Sequence, residues 1–253
     1  MGGGILAQLA EQWIYAVALI FARIGTATIL LPGFGDQSVP PRAKITCGLA
    51  LAIGLMPALP EPQVPDNTSL LFLMIGIEAT IGAFIGLGAR ALMAALHILG
   101  AQVGFASGLS NSLTPNQANA ESASAIASLL TMGAIAAIFL SNTHHVILMG
   151  LMRSYAILPP GQIMPGDLAQ QIARLGGAAF YIAAAVGAPF YVLSLLLNLG
   201  MGLANRVMPA MQVFFVAAPG LIVAGLLLLA FAVPAILTYH NAELANWFET
   251  LVR

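Results

Sequence analysis

Eight basic and nine acidic side chains serve the whole of this 253-residue chain, and that scarcity restricts its fold more than any motif does. Only 7% of the residues are charged and 60% are hydrophobic, where a water-soluble domain carries about a quarter charged residues. A soluble domain of this length needs a polar surface, and so few charges cannot supply one. The apolar surface therefore faces lipid or partner proteins. With a net charge of −1 there is no basic stripe of the kind that grips nucleic acid, so that class is excluded. Cys47 is the single cysteine; it has no internal disulfide partner and reads as a small buried apolar residue. Residues 1–11 lack a basic stretch, and the first apolar run carries Arg23 with no small-residue cleavage site after it, so this end reads as retained. Gly2 is not a myristoylation site, because Leu6 stands where that signal needs Ser or Thr.

Six apolar segments run over residues 13–31, 45–59, 70–99, 124–140, 178–203 and 213–237. A straight crossing of the hydrocarbon takes about 20 helical residues, so the second and fourth are short and the third overshoots. The third also holds Glu78, Arg90 and His97, each costly at mid-bilayer unless it faces protein or water. Proline-rich connections at 32–41, 57–65 and 159–165 stop helices, whereas Pro189, Pro209, Pro219 and Pro234 fall within or beside apolar helices and predict kinks. The apolar runs lack period-two alternation, so strands are not indicated. Basic residues give no clean orientation. Arg42 and Lys44 hold the first loop inside and Glu61 and Asp66 then lie outside, but Arg90, Arg153, Arg174 and Arg206 fall on alternating sides, and 102–121 has no basic residue. The reading is a single all-α membrane domain over 1–253, with about six apolar helices, several kinked or arranged as hairpins that do not fully cross.

Two glycine series, Gly82 with Gly86 and Gly100 with Gly104 and Gly108, recur every fourth residue and mark faces where another helix backbone can approach closely. Whether such a face meets another subunit stays open, since glycine is common in membrane helices. Residues 105–121, FASGLSNSLTPNQANAE, form the longest polar stretch between apolar runs and carry one charge. They cannot face lipid, so they are an external connection or line a cavity; taken alone, the external connection is the commoner solution. Glu78 and Arg90 lie twelve residues apart, roughly 18 Å along one helix, so they do not pair with each other and each needs another partner, in a conduit or on a neighbouring subunit. Snorkelling at a helix end is the plain alternative for both, with the partner reading preferred for Glu78 and neither preferred for Arg90. His144 and His145 are adjacent and do not form a metal-binding face. No metalloprotease, serine-hydrolase or nucleotide-binding motif is present, so no catalytic, metal or cofactor residues are assigned.

Four blocks, in order along nearly the whole chain, resemble the FliR family of type III secretion export-gate proteins, which includes the virulence-associated SctT branch. The first is ALIFARIGTATILLPGFGDQSVPPRAKITCG, with Arg23, Pro32, Phe34, Gly35, Val39, Pro40 and Arg42; the second is GAQVGFASGLSNSLTP, ending in Pro115. The third is NTHHVILMGLMRSYAILPPG, and the last and most specific is NRVMPAMQVFFVAAPG, with Asn205, Arg206, Pro209, Gln212, Val213, Phe214 and Pro219. The chain departs from the family in its very low lysine content and in the double proline at Pro40 and Pro41.

The resemblance implies a non-enzymatic subunit that packs with FliP-like and FliQ-like partners into a helical hetero-oligomeric export gate, with an FlhB-like subunit attached. Such a gate conducts unfolded export substrates across the inner membrane, its helices lying largely above the usual bilayer plane with membrane lipid around the assembly. It also implies a plug role for 105–121, hence for Phe105, Ser107, Ser110, Asn111, Ser112, Thr114, Pro115 and Asn116. The flagellar branch is the favoured reading. An injectisome subunit, a small-solute transporter using Glu78, Arg90 and proline-broken helices, and an assembly scaffold are the alternatives.

Overall fold

The computed structural model describes residues 2–36, 39–59, 67–107, 118–163, 165–207 and 213–250. These are mostly helical, with no strand among them: α1 (Gly2–Leu30), α2 (Pro41–Leu55) running into a 3-10 turn (Met56–Ala58), α3 (Thr68–Ala106), α4 (Ala118–Leu140), α5 (Thr143–Ile157), α6 (Pro165–Val207) and α7 (Val213–Thr250). The six apolar segments each fall in a helix. The seventh helix, α5, has its apolar residues interrupted by His144, His145, Arg153 and Ser154, which keeps it out of a list of apolar runs.

Local sequence explains the boundaries. Helix α2 opens with Pro41 at its first position, where a missing N–H costs nothing, and closes at Pro57 in the 3-10 turn. Between α1 and α2 the chain reverses through Gly33 at φ 83°, and Lys44 Nζ donates to the Gly35 carbonyl at 2.9 Å. Gly35 admits no side chain there, because a Cβ would collide with the carbonyl oxygen of Ile29. Helix α5 follows Asn142 at φ 61°, a conformation Asn tolerates better than most residues. Helix α6 carries Asp167 in its first turn and Arg206 in its last, both favourable to the helix dipole. Pro189 lies inside α6, Pro219 and Pro234 inside α7; Pro209 lies outside the described residues. Threonines bury their hydroxyls by back-bonding one turn, as with Thr28 to the Ile24 carbonyl at 2.7 Å and Thr131 to Ala127 at 2.8 Å, so they need no outside partner.

Among the described residues four stretches are long and apolar enough to cross a membrane: Gln12–Leu30, Thr68–Ala106, Pro165–Val207 and Pro219–Thr250. The interrupted pair α4 and α5 makes a fifth if it counts as one crossing. The chain divides into two compact units, one of Met1–Ala91, Asn142–Leu175 and Leu244–Arg253, the other of Leu92–Ser141 and Gly176–Glu243. In the first unit, Ile20, Ile24, Ala52, Leu59 and Tyr155 form a core cluster. Helices α1 and α2 close on each other at two glycines: a Cβ on Gly48 would stand 3.1 Å from Gly25 Cα. In the second unit, Leu96, Leu99, Leu130, Ile138, Phe190 and Leu229 are buried, while the outer face of α6 exposes Phe180, Tyr181, Leu195, Leu196, Leu199 and Leu203. An exposed face of that composition belongs in lipid or against another protein.

Candidate functional site

The most polar place inside the first unit is built on Arg23, in the last third of α1 and wholly buried, and Glu78, in α3 and 1% exposed. Burying either charge alone costs several kcal/mol, so the pair survives only with close geometry and further hydrogen bonds. Both are present. Arg23 Nε donates to Glu78 Oε2 at 2.7 Å and Nη2 to Oε1 at 3.0 Å, a two-pronged contact. Nη2 also donates to the Leu158 carbonyl at 2.9 Å and Nη1 to Ser154 Oγ at 3.3 Å, so four of the five guanidinium N–H groups are engaged. The Tyr155 ring lies 4.0 Å from Arg23 Cζ, within cation–π range, and its hydroxyl reaches the Ile20 carbonyl at 3.5 Å. The backbone N–H of Gly161, at φ 78°, adds a donor to Glu78 Oε1 at 3.3 Å. One ion pair thus ties α1, α3, α5 and the turn after α5 into a single polar node.

Two glycines set the spacing that lets the pair meet. Gly82 lies one turn beyond Glu78, and a Cβ there would run into the Arg23 carbonyl and Thr26 Oγ1. One turn further, a Cβ on Gly86 would collide with Leu30 Cβ and stand 3.0 Å from the Ala27 carbonyl. Glycine at both positions brings the α3 backbone against α1, and a guanidinium can then span the gap. Glu78 therefore has its partner within the chain. Arg90, on the same helix, is exposed and outside the node.

The second unit holds the other predicted residues. A Cβ on Gly100 would press on Ala127 N at 2.6 Å, so α3 and α4 touch there; Gly104 is buried, and Gly108 lies outside the described residues. Phe105 is 67% exposed and Ser107 is 1% exposed, at the end of α3. Ser110, Asn111, Ser112, Thr114, Pro115 and Asn116 lie outside the described residues. His97 Nε2 sits 3.4 Å from Thr131 Oγ1, and buried His240 meets the Leu92 carbonyl through Nε2 at 3.2 Å. Of the family-block residues, Arg23 is in the node, Pro40 precedes α2 exposed, Asn205 and Arg206 are exposed at the end of α6, and Pro219 is exposed in α7. Pro209 lies outside the described residues, as does the side chain of Phe214.

Reasoning from sequence does not single out Ser154, Tyr155, Leu158 or Gly161 as site residues. All four lie in the third family block, and Gly161 has the further signal of two preceding prolines, which mark a turn. Among the described residues no group of His, Cys, Asp or Glu is arranged to hold a metal ion. The node neutralises its own charge and presents no activated nucleophile, so its chemistry is cohesion.

The long apolar helices and the internal ion pair describe a membrane component, and comparison with known proteins says of what kind. The chain is similar to the flagellar biosynthetic protein FliR of Caulobacter vibrioides, 32% identical over 226 residues, covering 88% of this chain and 90% of the relative. It is similar to the protein of that name in Escherichia coli, 26% identical over 98% of this chain and 96% of the relative. It is also similar to the Yop proteins translocation protein T of Yersinia pestis, 27% identical over 85% of this chain and 84% of the relative. The family described as Bacterial export proteins, family 1, matches residues 14–247, and with that match taking in every element from α1 to α7, the chain belongs to this family.

Proposed function

We infer that the chain is a subunit of a type III protein export gate, a multi-pass protein of the bacterial inner membrane, with the flagellum as its setting. The observation that carries this is the family match across residues 14–247, laid on helices long and apolar enough to cross a membrane. The role is non-enzymatic: the subunit forms part of a conduit for unfolded export substrates, packed with FliP-like and FliQ-like neighbours and an FlhB-like subunit. The exposed apolar face of α6 suits such neighbours and lipid alike. The flagellar setting is preferred over the injectisome on the 32% identity to the Caulobacter FliR, since the Escherichia coli FliR at 26% and the Yersinia translocation protein at 27% do not separate the two. A small-solute transporter loses half its motive, since Glu78 is held by Arg23 instead of waiting for a solute.

Residues 105–121 serve as the plug of the conduit. The stretch is polar with one charge, so it can pack in a lumen and leave it without stranding an unpaired charge. Deleting 105–121 should leave the assembled gate at normal abundance and make the membrane leak small solutes. A tight membrane with normal secretion from the deletion strain would sink the plug. Crosslinking from Ser110 or Asn111 to a stalled export substrate separates a conduit subunit from a scaffold, which would give no adduct. Co-purification with FliP-like and FliQ-like proteins separates a gate subunit from a transporter that is stable alone.

A further inference from the structure

Several glycines stand where a Cβ would strike a side chain of another helix or its end, as Gly187 at Gln102, Gly225 at Ser107, Gly88 at Trp247 and Gly150 at Phe248. The last two belong together. Trp247 and Phe248 are neighbours on α7, their rings 4.6 Å apart and edge-on, a favoured aromatic arrangement. Both are buried, as is Leu244 one turn earlier, and all of these residues lie in the first unit. A Cβ on Gly88 of α3 would collide with Trp247 Cζ2 and stand 2.6 Å from Cη2 and 3.0 Å from Leu175 Cδ1. The indole is a rigid bicycle, so making room there means moving the whole ring. A Cβ on Gly150 of α5 would stand 2.8 Å from Phe248 Cδ1 and 3.3 Å from its Cβ. One ring thus rests on the bare backbone of α3 and the other on that of α5.

Those are two of the helices that Arg23 already joins, through Glu78 on α3 and Ser154 on α5. Gly88 lies ten residues beyond Glu78, about 15 Å along α3, and Gly150 lies one turn before Ser154. Two helices held at one point can swivel about it, and a second joint displaced along both stops the rotation. We propose that Trp247 and Phe248 form a clasp which, seated on Gly88 and Gly150, sets the angle of α5 against α3, and that this setting is what lets the first unit join its neighbours in the gate. The second half of this rests on the gate reading above. A helix pair ordered in advance loses less freedom on association than one that swivels. The two rings touch no substrate and act through α3 and α5, so they are positioning residues.

The test uses the full-length chain with two readings. For the first, Cys47→Ala and Leu244→Cys leave one thiol in the chain. Leu244 is fully buried one turn before the rings, so its rate of labelling by N-ethylmaleimide reports how far the clasp opens. For the second, the chain without that reporter is purified from its native membrane, and co-purification of FliP-like and FliQ-like proteins reports assembly. Gly88→Ala is expected to speed labelling several-fold and to cut co-purification several-fold. Gly177→Ala should alter neither, because nothing lies within 4 Å of a Cβ there. Adding Trp247→Phe to Gly88→Ala removes the outer ring atoms that the Cβ strikes and should bring both readings back to within about twofold of their parents. General damage would not be repaired by shortening a buried side chain. Unchanged labelling in Gly88→Ala, or labelling that Trp247→Phe does not slow again, overturns the clasp. Faster labelling with full co-purification overturns its part in assembly. If the unaltered chain brings down neither partner, the gate reading fails, while labelling restored by Trp247→Phe still supports the clasp.

Discussion

Buried polar atoms are treated differently in the two units. In the first, Arg23 and Glu78 meet each other and four further groups, so both charges are satisfied within the chain. In the second, Ser107 Oγ, Gln102 Oε1 and His240 Nδ1 are buried with no hydrogen-bond partner among the described residues. The energies explain the contrast. An unpaired buried charge costs far more than an unpaired hydroxyl or amide oxygen, which costs about 1–3 kcal/mol. Charge therefore has to be settled inside the first unit, whereas the second can leave neutral groups single where its helices come closest. The charged pair of the first unit is settled by specific bonds, whereas in the second these three neutral atoms stay single beside bonded pairs such as Asn241 with Ser141.

The most severe way to break that contrast is to leave half of the node. Glu78→Gln or Arg23→Met should each destabilise the chain by about 3–5 kcal/mol, the usual effect of stranding one partner of a buried pair. The pair Arg23→Met with Glu78→Leu should recover most of the loss. Thermal denaturation of the purified gate reads this, and a double variant as damaged as the singles would mean that the node does more than neutralise charge. Next comes the approach that allows the pair to form. Gly82→Leu should cost about 1–3 kcal/mol by overpacking, whereas Gly177→Leu should be nearly silent, because nothing lies within 4 Å of a Cβ at Gly177. Equal melting shifts for the two would refute the glycine contact.

In the second unit the expected effect is smaller. His240→Phe removes the bond to the Leu92 carbonyl, worth about 1 kcal/mol, but also removes an unpartnered nitrogen, so stability should change by less than about 1 kcal/mol. A loss matching that of Glu78→Gln would erase the distinction between the units. Smallest of all, Tyr155→Phe keeps the ring under Arg23 and loses only a contact of 3.5 Å. The melting temperature should hold to within about 0.5 kcal/mol of equivalent stability, and a larger fall would assign the hydroxyl a role the geometry does not give it.

Much of this architecture is legible in the amino-acid sequence alone. Apolar runs coincide with helices because burial drives both, but the runs understate the ends. Helix α6 begins at Pro165 and α7 continues to Thr250, where mixed sequence is held by a few buried residues such as Leu244 and Phe248. The need of Glu78 for a partner is readable from its cost in an apolar helix. That the partner is Arg23, 55 residues away, is not, because pairing at that distance is decided by helix packing. The four-residue glycine spacing is visible, yet Gly187 and Gly225 stand outside any series and gain meaning only from what faces them. For 105–121, only Phe105, the buried Ala106 and Ser107, and the backbone from Ala118 onward fall among the described residues.

One dihedral angle has a reach beyond its neighbourhood. Asn142 at φ 61° ends one helix and lets another begin at the next residue. Among the described residues four uninterrupted stretches are long and apolar enough to cross, and α4 with α5 adds a fifth if the bent pair counts as one crossing. An even tally returns a polypeptide to the face of the membrane it left, and an odd tally strands it on the other. Whether the pair that meets at Asn142 makes a full crossing thus decides that parity.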